Sequence, residues 1–176
     1  SITYPKANLV FRFFSGVGIS SKKDTTLPFF KQYFGGGANS MRGWPIRGIG
    51  RGRQPLTPYT ENKFNDRTGD IRIESNIEYR FPISGSLKGG LFIDAGNVWN
   101  IFDDIEDPAF RFDGFQDLSE IAVGSGLGLR YDFDFFVFRF DTGFKTYNPA
   151  LPQGDRWWNE YNFRSAVFNI GINYPF

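Results

Sequence analysis

The chain has 176 residues, a formal net charge of +1, no Cys and no His. The absence of Cys excludes disulfides and cysteine-bound zinc, the absence of His removes the usual general base, and the near-neutral charge gives no electrostatic basis for nucleic-acid binding. Aromatic residues make up 19% of the chain, yet the mean hydropathy is −0.36 and no run approaches the roughly 20 apolar residues of a membrane-spanning helix.

Six segments alternate apolar and polar residues with a period of two, which predicts β-strands with one apolar and one polar face. Each segment has the length of a strand that crosses a bilayer at a tilt, about 10 to 13 residues. In chain order the predicted strands are residues 8–20, 70–81, 88–100, 121–133, 135–147 and 165–176.

The connections between these strands alternate in length. Residues 84–86 and 133–135 are predicted tight turns, whereas residues 20–69, 101–120 and 148–164 are long and rich in Gly, Pro and charge. Short turns on one side and long loops on the other are typical of an outer-membrane barrel, whose strand ends carry interfacial aromatic residues. The predicted interfacial residues are Tyr79, Trp99, Tyr131, Tyr147, Trp157 and Trp158.

A soluble antiparallel sandwich also alternates, but its strands are usually about 5 to 6 residues long and its solvent face carries fewer charges. The sequence therefore predicts an all-β, antiparallel transmembrane barrel. Six strands are fewer than the about eight of the smallest barrels, and an open sheet in lipid leaves backbone groups unpaired. We therefore expect residues 1–176 to be the C-terminal part of a larger barrel domain, with self-association as the alternative. No signal peptide opens the chain, and Ser1 is the expected start of a fragment or a processed product.

Two carboxylates share the polar face of consecutive strands. The alternation puts Glu78 of the second strand and Asp94 of the third on that face. The long Gly-rich loop before them carries Arg42, followed by Gly43 and Trp44. A guanidinium stays charged and offers several donors in a fixed fork, so Arg42 is a candidate to bridge both carboxylates and hold the loop over the polar face. A solvated loop arginine is the alternative.

Four short motifs follow one another along the chain. Residues 34–44 run from Phe-Gly-Gly to Ser-Met-Arg-Gly-Trp, residues 78–82 are Glu-Tyr-Arg-Phe-Pro, and residues 92–96 are Phe-Ile-Asp-Ala-Gly. Residues 169–176 are Asn-Ile-Gly-Ile-Asn-Tyr-Pro-Phe. In order, spacing and face parity, these motifs resemble the BamA/TamA family of outer-membrane assembly and translocation barrels. Met and Trp stand in the loop motif where the family commonly has Val-Arg-Gly-Tyr or Val-Arg-Gly-Phe.

The resemblance implies the last six strands of a barrel of about sixteen, located in the bacterial outer membrane. It implies that Arg42, Glu78 and Asp94 clamp the loop in the lumen, with Gly43 and Trp44 belonging to the same loop motif. The strand-motif positions are Phe92 and Gly96, and the positions of the C-terminal signal and lateral seam are Asn169, Gly171, Tyr174 and Phe176. Gly171 matches the position where the last strand bends at a seam that templates incoming strands.

The function implied is the insertion or translocation of other outer-membrane or secreted proteins, with no catalytic residue, metal or cofactor. The implied partners are outer-membrane lipid, the N-terminal barrel strands and periplasmic POTRA domains, client proteins and accessory lipoproteins, but no nucleic acid. A passive porin or ligand transporter is the alternative function, although it has no need of an Arg42 clamp. An outer-membrane hydrolase would need its catalytic residues elsewhere in the protein, because His is absent from this chain.

Two features allow two interpretations each. Three glycines on the lumenal side of the fourth strand either leave room for an inserted loop or permit strand curvature: Gly124, Gly126 and Gly128. Four carboxylates in the loop 101–120 either bind a divalent cation or are simply solvated: Asp103, Asp104, Glu106 and Asp107.

Overall fold

The computed structural model describes residues 6–20, 27–54, 67–101 and 110–173. Within these residues the strands are β1 (Asn8–Val17), β2 (Tyr33–Phe34), β3 (Thr68–Gly69), β4 (Ile71–Ser84), β5 (Leu87–Trp99), β6 (Ala122–Asp132), β7 (Val137–Tyr147) and β8 (Val167–Asn173). Short 3₁₀ helices lie at Phe29–Lys31 and Phe115–Glu120. In the described part of the chain, no helix combines the length and the apolar character needed to cross a membrane.

Six of the strands form one antiparallel sheet in the order β1-β4-β5-β6-β7-β8. The predicted all-β antiparallel architecture is therefore confirmed. β1 ends at Val17 and β8 begins at Val167, a few residues inside the predicted bounds. The two-stranded ribbon of β2 and β3 was not predicted, because two residues per strand are too few to show an alternating pattern.

Tight turns join the hairpins where they were predicted. Gly85 and Ser86 connect β4 to β5, and Gly85 has a φ of 52°, which suits a residue without a Cβ. Between β6 and β7 the Phe133 N–H donates to the Phe136 carbonyl oxygen, and Asp134 has a φ of 69°. Asp is among the residues that tolerate this left-handed conformation. The two short connections lie at the same end of the sheet, opposite the long ones.

The sheet is apolar on its outer face and polar on its inner face, which reverses the arrangement of a soluble domain. On the outer face, Leu127 is 54% exposed and Ile170 is 67% exposed, whereas Asp94 and Asp141 on the inner face are 0% exposed. The other exposed apolar residues of the strands include Leu9, Phe11, Phe13, Ile77, Leu91, Ile93, Leu129, Phe168 and Ile172. An apolar outer face of this extent requires lipid against it, and the inner polar face corresponds to a barrel lumen.

Trp99 was predicted to lie at the membrane interface, and the structure contradicts this. Its side chain is fully buried, donates a hydrogen bond of 3.1 Å from Nε1 to the Glu120 carboxylate and packs edge-on against Phe112. Residues 110–120 of the connection after β5 lie over the end of that strand. Tyr147, also predicted there, is buried, and its hydroxyl donates to the Ser119 carbonyl oxygen at 3.1 Å. Trp157 and Trp158 are exposed, as an interfacial position requires.

Leu127 offers a direct test of which face meets lipid. It lies at the middle of β6, and Leu127→Arg should lower the stability of the full-length protein in lipid vesicles by about 2 to 4 kcal/mol, the cost of a lipid-facing Arg near the bilayer midplane. The free energy of unfolding is measured by titrating each variant with urea, with heat-resistant migration as the readout of the folded fraction. Ile46→Arg is the control, because Ile46 lies on the long loop and is exposed. Equal losses in both variants would contradict the assignment of the outer face to lipid.

Candidate functional site

Residues 35–54 of the long connection between β1 and β4 lie against the inner face of the sheet, and Arg42 makes several of their contacts with it. The Arg42 guanidinium donates from Nε to Asp94 Oδ2 at 2.9 Å and from Nη2 to Asp94 Oδ1 at 2.8 Å. Its Nη1 donates to Glu78 Oε2 at 2.6 Å, and its backbone N–H donates to Asp94 Oδ2 at 2.9 Å. All three side chains are buried. The structure thus brings Arg42, Glu78 and Asp94 together in one charge-assisted cluster.

The register of β4 and β5 places the two carboxylates within reach of a single guanidinium. Asn76 lies opposite Asp94, and Glu78 lies opposite Phe92, so the carboxylates occupy diagonal positions on one face. Asn76 Nδ2 donates to Asp94 Oδ1 at 2.8 Å and to the Ser40 carbonyl oxygen at 2.9 Å. The forked geometry of Arg matches this diagonal, because its donors point in two directions at once.

The two strand-motif residues, Phe92 and Gly96, lie beside the same cluster. The Phe92 ring is buried beneath Arg42, with the guanidinium carbon 3.5 Å from the ring centroid, a cation–π contact. Gly96 lies opposite Glu74, and a Cβ there would lie 2.9 Å from Glu74 Cγ and 2.5 Å from the Ile73 carbonyl oxygen. Gly96 therefore leaves room for the Glu74 side chain, which accepts a hydrogen bond from the Ser40 hydroxyl of the loop.

Gly124, Gly126 and Gly128 of β6 leave space on the inner face that other groups occupy. A Cβ at Gly124 would lie 3.1 Å from Trp44 of the loop, and a Cβ at Gly126 would lie 2.5 Å from the Phe92 ring. At Gly128 the same space is filled by Arg130 and Asp141. Of the three, Gly124 leaves room for the inserted loop, whereas Gly126 and Gly128 leave room for side chains and backbone of β5, β6 and β7.

The loop backbone itself approaches β7 closely at Gly43. A Cβ on Gly43 would lie 2.9 Å from the Phe144 carbonyl oxygen, and a Cβ on Gly143 would lie 2.3 Å from the Arg42 carbonyl oxygen. Trp44 is buried in an apolar cluster with Met41, Ile49, Val98 and Ala122. The loop is therefore seated by packing as well as by charge.

A wider ionic network surrounds the cluster. Glu78 Oε1 lies 3.0 Å from Arg130 Nε. Asp141 lies 2.8 Å from Arg130 Nη1 and 3.0 Å from Arg139 Nε, and its Oδ2 is 3.8 Å from Arg42 Nη1. The alternation predicts these strand residues on the lumenal face, but it does not predict that Asp141 adds a third carboxylate to the site.

Comparison with known proteins identifies the family. A model of the Omp85 superfamily domain matches residues 2–176. The chain belongs to the Omp85 superfamily. Membership makes it an outer-membrane β-barrel protein of bacteria.

A solved structure shares the fold of this Omp85 domain. The crystal structure of BamA from Haemophilus ducreyi lacking POTRA domains 1–3 is similar to it, with a TM-score of 0.50 and 17% sequence identity. The match covers 96% of the Omp85 domain and 35% of the BamA chain, so the domain spans about a third of that chain. No curated protein matches significantly.

The loop in the Omp85 domain has a second attachment, at Gly52 and Arg53. Arg53 Nε lies 2.7 Å from Glu120 Oε1, and Asn97 Nδ2 donates to the carbonyl oxygens of Gly52 at 2.8 Å and Glu120 at 2.7 Å. Burial raises the pKa of the Glu120 carboxyl, while the Trp99 N–H and Arg53 act in the opposite direction. No sequence motif pointed to this second contact.

The C-terminal strand contributes Asn169 and Gly171 to the same lumenal region. Asn169 Nδ2 donates to the Arg42 carbonyl oxygen at 3.0 Å, and Gly171 lies opposite Arg139 on β7. Tyr174 and Phe176 lie outside the described residues, as does the acidic run from Asp103 to Asp107.

Sequence reasoning missed the polar residues that hold the tip of the loop. Ser40 Oγ accepts a hydrogen bond of 2.9 Å from the Gly36 N–H while donating to Glu74. Arg139 Nη2 donates to the Ala38 carbonyl oxygen and, at 2.9 Å, to Asn39 Oδ1. The only available signal was the position of Glu74 and Arg139 on the lumenal face.

Proposed function

We propose that this Omp85 domain is part of a barrel that inserts or translocates other outer-membrane or secreted proteins. In this proposal residues 20–69 form a loop clamped in the lumen through Arg42, Gly43 and Trp44. The observation that carries the proposal is the burial of the Arg42 guanidinium between Asp94 and Glu78, carboxylates from two adjacent strands. Membership of the Omp85 superfamily and the BamA-like fold support it.

The clamp keeps the lumen occupied. Removing one partner from a buried ion pair costs about 3 to 5 kcal/mol, because the remaining charge is left uncompensated, and the cost is smaller where water reaches the pair. Phe92 covers one face of the guanidinium, and the side chains of Arg42, Glu78 and Asp94 are buried. A loop held in this way supports the wall of the barrel and fills its interior, which is the opposite of what a porin requires.

In this proposal, client strands would pair with the backbone at the seam beside β8. β8 is the last strand in the order of the six-stranded sheet, and a barrel seam that opens beside it can template an incoming strand by β-augmentation. In the proposal Gly171 marks the lateral seam, and Asn169, Tyr174 and Phe176 belong to the C-terminal signal of this chain. The proposed partners are outer-membrane lipid, the other barrel strands and periplasmic domains, client proteins and accessory lipoproteins.

The test separates assembly from passive transport. The full-length parent would be reconstituted in lipid vesicles, and two rates would be measured: the insertion of a urea-unfolded outer-membrane protein and the swelling of the vesicles in small sugars. We expect faster insertion than in empty vesicles and little swelling, with Asp94→Asn reducing the insertion rate at least tenfold. Vesicles that swell without any gain in insertion would overturn the proposal in favour of a passive porin or ligand transporter.

A further inference from the structure

We propose that the loop and β8 stabilise one another: the loop docks fully only when β8 is paired with β7 in its native register. Asn169 and Gly171 on the lumenal face of β8 act as positioning residues for the loop. This inference rests on the proposed function only in taking the loop to be the lumenal clamp of the barrel.

Asn169 holds the backbone of the residue whose side chain forms the clamp. Its Nδ2 donates to the Arg42 carbonyl oxygen at 3.0 Å, across 127 positions of sequence. That oxygen lies directly over Gly143, where a Cβ would approach it to 2.3 Å, so it is confined between β7 and β8. Arg42 is thereby held from two sides, by Asp94 and Glu78 through its side chain and by Asn169 through its carbonyl group.

Gly171 lies two residues after Asn169 on β8 and acts on the loop through Arg139. Gly171 and Arg139 lie opposite each other, and a Cβ on Gly171 would lie 3.3 Å from Arg139 Nε and 3.4 Å from Nη2. The same Nη2 donates to the Ala38 carbonyl oxygen and to Asn39 Oδ1. The absence of a Cβ at Gly171 therefore leaves the Arg139 guanidinium uncrowded in the position from which it reaches the tip of the loop.

A shift in register breaks both contacts. A slip by one residue turns every side chain to the other face, so Asn169 would enter lipid and the apolar Phe168 or Ile170 would enter the lumen. A slip by two residues keeps the faces but puts Val167 or Gly171 in place of Asn169, and neither side chain has a donor. The backbone ladder between β7 and β8 does not distinguish the two-residue slip from the native pairing, whereas the contact with the loop does.

Coupling of this kind is reciprocal. If correct pairing of β8 stabilises the docked loop, the docked loop must stabilise β8 by the same factor. Loss of one hydrogen bond is expected to change the opening equilibrium about fivefold, the factor that corresponds to about 1 kcal/mol. Both directions are measurable in the same protein.

The experiment is hydrogen exchange followed by mass spectrometry on the full-length parent, refolded from urea into lipid vesicles. Asn169→Leu should speed exchange of the amides of residues 36–44 about fivefold, and Ile170→Leu, on the lipid face of the same strand, should not. Asp94→Asn should speed exchange of residues 167–173. If Asn169→Leu does not refold, Asn169→Ala removes the donor without adding a charge opposite Asp141 and provides the same test.

Two outcomes would overturn the inference: unchanged exchange of residues 36–44 in the Asn169 variant, or unchanged exchange of residues 167–173 in the Asp94 variant. Client insertion is measured separately on the same samples. Faster exchange with unimpaired insertion would support the coupling while counting against the proposed function. Unchanged exchange with impaired insertion would overturn the coupling alone.

Discussion

Arg42→Glu in the full-length parent is expected to release the loop from the lumen and reduce client insertion to the level of empty vesicles. The substitution removes every side-chain hydrogen bond from Arg42 to Asp94 and Glu78, and it adds a carboxylate between these two. The loss of one buried partner already costs about 3 to 5 kcal/mol, which corresponds to more than a hundredfold in an equilibrium constant. Heat-resistant migration and the insertion rate of an unfolded client measure the effect.

The double variant Arg42→Glu with Asp94→Arg should recover part of the loss. It restores one pair of opposite charges at the same place, but Glu78 then faces the carboxylate introduced on the loop, and the bidentate geometry toward Asp94 is gone. Lys31→Glu is the matched control, because it reverses an exposed charge in the same loop. Normal folding and normal insertion in the Arg42→Glu single variant would rule out the clamp and make a simple pore the better account.

Gly143→Ala is expected to displace the loop without altering any charge. The added Cβ would lie 2.3 Å from the Arg42 carbonyl oxygen, 2.5 Å from its carbonyl carbon and 2.8 Å from the Gly43 nitrogen. These are backbone atoms, which cannot move aside as the end of a flexible side chain can, and overpacking of this kind costs about 1 to 3 kcal/mol. We expect faster proteolysis within the loop and at least a fivefold lower rate of client insertion, with the strands of the sheet retained.

Gly154→Ala is the control for this steric effect. A Cβ on Gly154 meets no atom within 4 Å, so the same chemical change should leave proteolysis and insertion unaltered. If Gly143→Ala behaves like Gly154→Ala, close contact between the loop backbone and β7 is not needed for docking. The charge and steric variants together separate the two contributions that seat the loop.

The features that could be predicted from the sequence are those set by a short, regular period. Alternation identified the six strands of the sheet, and it assigned Leu127 to the apolar face and Asp94 to the polar face. The tight turns were predicted at residues 84–86 and 133–135, and there Gly85 and Asp134 adopt a positive φ. These properties are local: they depend on two-residue geometry and on the preference of lipid for apolar side chains.

The contacts among lumenal groups could not be predicted in the same way. The alternation indicated lumenal ion pairs between neighbouring strands, but not that Asp141 would contact both Arg130 and Arg139. The burial of Trp99 beneath residues 110–120 could not be predicted from the local sequence either. Such contacts depend on strand register and on the path of long loops across the sheet.

The sequence by itself determined the strands and their faces, because these follow from neighbouring residues. The sequence also named Arg42, Glu78 and Asp94 as groups that could meet, but only the tertiary structure decided which other groups meet across the lumen. Asn169 binds the Arg42 carbonyl oxygen across 127 positions of sequence, and Arg139 binds Asn39 across 100. Atoms so far apart in sequence come together only in the folded chain, because the distance between them depends on the path of the loop across the sheet.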